Sequence, residues 1–178
     1  MGAACPPLNP TGYDTTLSGS PRKFADYQIG EKIDHIAGIT VEHAEHMMAT
    51  RLYQNTARIH FDHFTESKGR FGQRLIYGGH AISLARALSF NGLANAFHIA
   101  AINGGRHVNP LFAGSTVFAW SEILDHKDLP GRTDAGALRV RTVGTKDRPC
   151  ADFPCKKNDG AYEDAVILDL DYWVLLPR

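Results

Sequence analysis

Two stretches of this 178-residue chain carry side chains that could move a proton near neutral pH. The first reads Asn55-Thr56-Ala57-Arg58-Ile59-His60-Phe61-Asp62. His60 stands between apolar Ile59 and Phe61, which suggests an imidazole held partly out of water and suited to general-base work. Asn55 can orient a water or a carbonyl but cannot take its proton; Asp62 can. The same residues also read as a polar turn between two helices. The second stretch runs from Arg70 to Ala94, where Gly78-Gly79 precedes an almost wholly apolar run. Ala81, Ile82, Leu84, Ala85, Ala87, Leu88, Phe90 and Leu93 recur at helical spacing, and a helix apolar nearly all round is buried. Unpaired N–H groups and the positive helix end at its start suit an anion or a developing oxyanion. The plainer reading of this stretch is a glycine turn that enters a core helix.

Four histidines, His43, His46, His60 and His63, fall close together. Their spacing is loose and the His-Glu-x-x-His pattern is absent, so neutral or core-satisfied rings are expected rather than a metal site. Three cysteines, Cys5, Cys150 and Cys155, form no Cys-x-x-Cys pair, which fits a reducing cytoplasm better than a disulfide framework. Formal net charge is zero, so there is no basic field to attract nucleic acid or an anionic membrane. Met1 to Pro10 has neither a basic start nor an apolar core, and no secretory signal is expected there.

These side chains need a scaffold, and the rest of the chain supplies its pattern. Residues 1–22 are rich in Pro and Gly and read as a tail or linker, leaving 23–178 as one domain. Lys32 to Gly38 is expected as a first strand. A helix should follow from about Val41 to Tyr53, with Thr40 as its cap. After the central helix, expected over 81–94, the period changes to 2. Phe97–Ile102 is a short strand, continued by an edge or bulged segment over 104–110 that ends at Pro110. Thr116–Leu124, the alternation at 138–142 and Val166–Leu176 give further strands, and 147–160 is a long polar loop. Four successive strands after one buried helix make an α+β fold of the hotdog type, an antiparallel β-sheet wrapped around a long central helix.

The run from Tyr53 to His80, with Asn103 to Thr116, resembles the MaoC-like hydratases among the hotdog proteins. His60 matches that family's catalytic histidine and Asp62 the acid that follows it. Phe71-Gly72-Gln73-Arg74-Leu75-Ile76-Tyr77-Gly78-Gly79-His80 matches the second motif, with Gly79 at the oxyanion glycine. Within the family, Gln54–Phe61, Tyr77–Arg86 and Ala101–Val108 look like the second half of the mesaconyl-CoA hydratase branch. The resemblance spans about Tyr13 to Arg178. Two departures stand out. Asn55 falls where most of the family has aspartate, and members of that branch are about twice as long, with two hotdog halves.

The resemblance implies reversible hydration of a 2-enoyl-CoA thioester, without a cofactor. His60 would be the base, Asn55 would position the water, Asp62 would orient His60, and Gly79 would face the enolate oxygen. Tyr77, Gly78 and His80 would line the substrate. A distal substrate carboxylate would call for an arginine fork, with Arg58, Arg106 and Arg74 as candidates in that order. Pairing with a second copy or another hotdog domain is expected. The alternatives are a non-catalytic half that supports a partner's site and a hotdog thioesterase.

Overall fold

The computed structural model describes residues 8–178. Cys5 and the start of the Pro-rich tail therefore lie outside the described residues. The elements are β1 (Lys32–Asp34), β2 (Ile39–Thr40), α1 (His43–Leu52), α2 (His63–Glu66), α3 (Gly78–Leu88), α4 (Phe90–Leu93), β3 (His98–His107), β4 (Thr116–Asp128), β5 (Ala135–Lys146) and β6 (Val166–Pro177). The strands form one antiparallel sheet in the order β1-β4-β5-β6-β3, with β2 also paired to β4.

Alternation on β6 from Leu168 onward explains which face holds the core. Leu168, Leu170, Tyr172, Val174 and Leu176 are all buried. They pack with Ala81, Leu84, Ala85 and Leu88 of α3 in one hydrophobic cluster. At the start of the strand a register shift against β5 reverses the order expected from the sequence, so that Ile167 joins this cluster and Val166 turns to the other face. From Asp169 on, the side chains between the core residues also turn to that other face. There Asp169 and Asp171 pair with Arg141 and Arg139 across β5, at 2.7 and 2.5 Å. A one-residue slip would place both carboxylates against α3, so burial of one face pins the register. The loop over 147–165 covers part of this second face. Trp120 anchors it by donating from Nε1 to the Pro154 carbonyl at 2.9 Å, above a small cluster with Val143, Cys150 and Val166.

Three boundaries differ from the sequence expectation. The first strand is split in two: β1 ends at Asp34, and β2 holds only Ile39 and Thr40. Thr40 is thus a strand residue, and the cap of α1 is Glu42, whose N–H donates to Glu45 Oε1 at 3.1 Å. The central helix ends at Leu88 rather than continuing to 94. Asn91 and Gly92 leave helical geometry, with Gly92 at φ +115°. The turn is tied down on both sides. Tyr27 donates its hydroxyl to the Gly92 carbonyl at 2.8 Å, and the Asn91 amide donates to the His35 carbonyl at 2.8 Å. A Cβ at position 92 would lie 2.5 Å from Ile33 Cγ2, so backbone angle and close packing both require glycine there.

The bulged edge expected near residue 104 is present, with register shifts in β3 between Ile99 and Ala101 and between Ile102 and Gly104. β3 is the last strand of the sheet, and Ile99 and Ile102 on it are exposed. Residues 13–22 lie against the domain rather than apart from it. Asn95 donates to the carbonyls of Ser20 and Arg22, and Tyr13 meets the Phe97 ring at 6.1 Å.

Candidate active site

His60 closes a single turn of 3-10 helix, Arg58–His60, between α1 and α2. The backbone on either side is held by bonds from His60 N–H to Ala57 and from Leu75 N–H to Ile59. The ring is oriented by Nδ1, which lies 2.9 Å from the Leu75 carbonyl oxygen. A carbonyl only accepts, so Nδ1 carries the proton. The lone pair of the neutral ring is therefore on Nε2. This orienting role was expected of Asp62, and the structure places Asp62 elsewhere. Its carboxylate caps α2 by accepting from the Thr65 N–H at 3.0 Å and the Thr65 hydroxyl at 2.6 Å. Those two bonds hold its pKa below the ordinary carboxylate value. Asn55 is also spent locally, with Oδ1 accepting from the Ala57 N–H at 2.8 Å.

His60 lines a half-open cleft of about 210 Å³, together with Leu75, Ile76, Gly78, Ala81, His107 and the Asn109–Leu111 turn. The N-terminus of α3 opens into this cleft. His80 N–H and Ala81 N–H both return to the Tyr77 carbonyl, at 2.9 and 3.2 Å. The N–H groups of Gly78 and Gly79 have no acceptor among the described residues, as expected for the first turn of a helix. The oxyanion role was expected of Gly79, yet the glycine that lines the cleft is Gly78. Gly79 answers a packing need, since a Cβ there would lie 2.5 Å from the Tyr77 ring.

A second histidine sets the start of α3. His46 is fully buried on the inner face of α1, and its Nε2 accepts the Tyr77 N–H at 2.8 Å. Its Nδ1 is buried with no partner among the described residues. Burial, followed by the nearby His80 and His60 rings, pushes its pKa down to about 4, so the ring is neutral and remains an acceptor at neutral pH. The His46 centroid lies 6.4 Å from that of His60 and 6.0 Å from that of His80, whose Nε2 faces Glu45 Oε1 at 3.3 Å. Among the described residues no group of three or more His, Cys, Asp or Glu side chains is placed to hold a metal ion.

None of the three expected arginines lines the cleft. Arg74 donates to Met47 Sδ at 2.8 Å and lies 3.2 Å from His43 Nδ1. Arg58 is exposed on the 3-10 turn, and Arg106 is exposed on β3. The residue that sequence reasoning passed over is His107, which neighbours Arg106 but lines the cleft beside His60. Period-2 alternation along β3 sends adjacent side chains to opposite faces, and that was the available signal.

Comparison with known proteins fits this geometry. No family model matches the chain. It is 63% identical over 171 residues to β-methylmalyl-CoA dehydratase of Chloroflexus aurantiacus, covering 96% of this chain and 49% of that one. Over 173 residues it is 57% identical to mesaconyl-CoA hydratase of Cereibacter sphaeroides, covering 96% and 48%. Among solved structures, a MaoC domain protein dehydratase from Chloroflexus aurantiacus superposes with a TM-score of 0.92 at 63% identity, again over 96% of this chain and 49% of the other. This chain is a MaoC-like hotdog domain. A Mycobacterium tuberculosis protein with a double hotdog fold shares the fold at a TM-score of 0.63 and 22% identity, over 99% of this chain and 48% of that one. The MaoC-like domain described here thus spans about half the length of the curated relatives it matches.

Proposed function

We propose that this chain is one hotdog half of a hydro-lyase that reversibly hydrates mesaconyl-CoA (2-methylfumaryl-CoA) to β-methylmalyl-CoA. The observation that carries the reading is a shared cleft. It holds an imidazole whose free lone pair is fixed on Nε2 and, at a helix N-terminus, the unpaired N–H of Gly78. Hydration of an enoyl thioester needs those two things. His60 Nε2 takes a proton from water as the water oxygen bonds to the β-carbon. The C=C π electrons move toward the thioester oxygen, and the Gly78 N–H at the helix N-terminus stabilises the enolate. The proton held by His60 then passes to the α-carbon, which completes addition of one water with no cofactor. Two named relatives, matched at 63% and 57% identity, support the substrate.

The remaining parts of the proposal concern what completes the site. The cleft offers no arginine among the described residues for the distal carboxylate, and Arg106 faces away from it, so that contact comes from the partner domain. β3 is the surface for that partner, because its free edge and exposed Ile99 and Ile102 suit pairing with a second hotdog domain. Residues 1–22 act as the linker between halves. No helix among the described residues is long and apolar enough to cross a membrane. A cytoplasmic location is part of the proposal and rests on cysteines without Cys-x-x-Cys spacing. A thioesterase would use a carboxylate beside the thioester, and none lines the cleft.

The test is loss of enoyl-thioester absorbance with mesaconyl-CoA, for the chain alone and mixed with a first-half hotdog protein. Hydration in either arm, abolished by substitution of His60, supports the reading. Activity only in the mixture, unaffected by His60, shifts the chain to a supporting half. Release of free thiol shifts it to thioester hydrolysis.

A further inference from the structure

The proposed water site has one assigned anchor, His60. Most of the family places aspartate where this chain has Asn55, and the Asn55 side chain is occupied by the Ala57 N–H. A second group already lines the same cleft. His107 ends β3, where it pairs in register with Leu168 of β6, and Val108 N–H fixes the next step by donating to the Ile167 carbonyl at 2.9 Å. Its ring stands over the first residue of α3. A Cβ at Gly78 would lie 2.5 Å from His107 Nε2 and 2.8 Å from Cε1. The glycine therefore leaves room for this imidazole at the start of the helix. His107 and His60 line the same cleft as Gly78.

We infer that His107 is the second anchor of the reacting water, so that a pair of neutral histidines does the work an aspartate and a histidine share in most of the family. The inference rests on the hydratase reading above. Water has two O–H groups. One donates to His60 Nε2 and is the proton that transfers; the other donates to His107 Nε2 and stays on the oxygen. Held at both hydrogens, the water presents a lone pair to the β-carbon. The balance of the reaction is unchanged: one O–H and one C=C π bond break, and one C–O and one C–H bond form. His107 is exposed, and the groups that line the cleft with it favour its acceptor form. From the 3-10 turn it faces His60. From α3 it faces Gly78 and Ala81, and β6 offers the uncharged Ile167 and Leu168. On its own strand Arg106 points to the other face. Desolvation and the nearby His60 ring both hold the His107 pKa below the ordinary value.

The test is steady-state hydration of mesaconyl-CoA between pH 5 and 8 by the wild-type chain, His107→Phe and His107→Gln, each alone and with a first-half hotdog protein. Circular dichroism melts verify folding of each. His107→Phe fills the space without an acceptor and should lower kcat by ~10–100-fold with KM within about 3-fold, the scale of one lost orienting hydrogen bond. His107→Gln restores an acceptor near Nε2 and should recover most of kcat. Protonation of His107 removes its acceptor, so the acid limb of log(kcat/KM) should be steeper in wild type than in His107→Gln. Full kcat in His107→Phe, or equal loss in Phe and Gln with the wild-type acid limb unchanged, overturns the inference and leaves the hydratase reading intact. A wild-type chain inactive in both arms overturns the hydratase reading, and the inference with it.

Discussion

Replacing His46 with glutamine should make the domain less sensitive to acid, and the size of the effect can be worked out. The neutral ring accepts the Tyr77 N–H through Nε2, and burial depresses its pKa from 6.5 to about 4. In the unfolded chain the same ring titrates near 6.5. Between these values the unfolded state binds a proton that the folded state refuses, so stability falls as pH drops from 6.5 toward 4 and is fully present above 6.5. At ~1.4 kcal/mol per pKa unit, the loss from this one ring between pH 7.5 and 5.0 is about 2 kcal/mol. Glutamine can place an acceptor near the Nε2 position and does not titrate. Urea unfolding of wild type and His46→Gln at pH 7.5 and 5.0 isolates the difference, because buried His35, also depressed by burial, is common to both. With a urea slope of ~2 kcal/mol per M, the wild-type midpoint should drop about 1 M further than that of the variant. Parallel drops would refute the claim that His46 is buried as a neutral acceptor. His46→Leu, which does not titrate and leaves the Tyr77 N–H without an acceptor, should be ~1–3 kcal/mol less stable than His46→Gln at both pH values.

Two further substitutions separate scaffold from chemistry. Gly92→Ala forces a side chain into φ +115° and against Ile33, and should cost ~2–4 kcal/mol, or roughly 5–15 °C in Tm by thermal melts. Asp62→Ala removes the cap of α2 and should cost ~1 kcal/mol in urea unfolding while kcat stays near wild type, because Leu75 rather than Asp62 orients His60. A large fall in kcat for Asp62→Ala would return the aspartate to the proton pathway.

Much of the scaffold was legible because its signals are local and repeated. Alternation from Leu168 to Leu176 gave both the strand and its buried face, though not the register shift that turns Val166 away, and Gly78-Gly79 marked the start of the central helix. The helix end was not legible, because the apolar pattern runs on through Phe90 and Leu93 while the break comes from contacts of Gly92 with Ile33 and Tyr27, distant in sequence. The same distinction holds at the site. His60 could be picked out from its apolar neighbours and from a motif. Its orienting partner could not, because a backbone carbonyl 15 residues away leaves no trace in residue types. Asp62 looked like that partner only by adjacency. His107 was hidden by Arg106, whose charge drew attention to a position that faces away from the cleft.

The most direct test of the account is kcat for mesaconyl-CoA hydration by His60→Ala, measured beside wild type under whichever condition, chain alone or mixed with a first-half hotdog protein, gives the wild-type rate. Loss of a general base should lower kcat by ~10²–10⁴-fold, with the melting temperature within a few degrees of wild type. Wild-type kcat in His60→Ala would contradict the account and place the proton transfer outside this cleft.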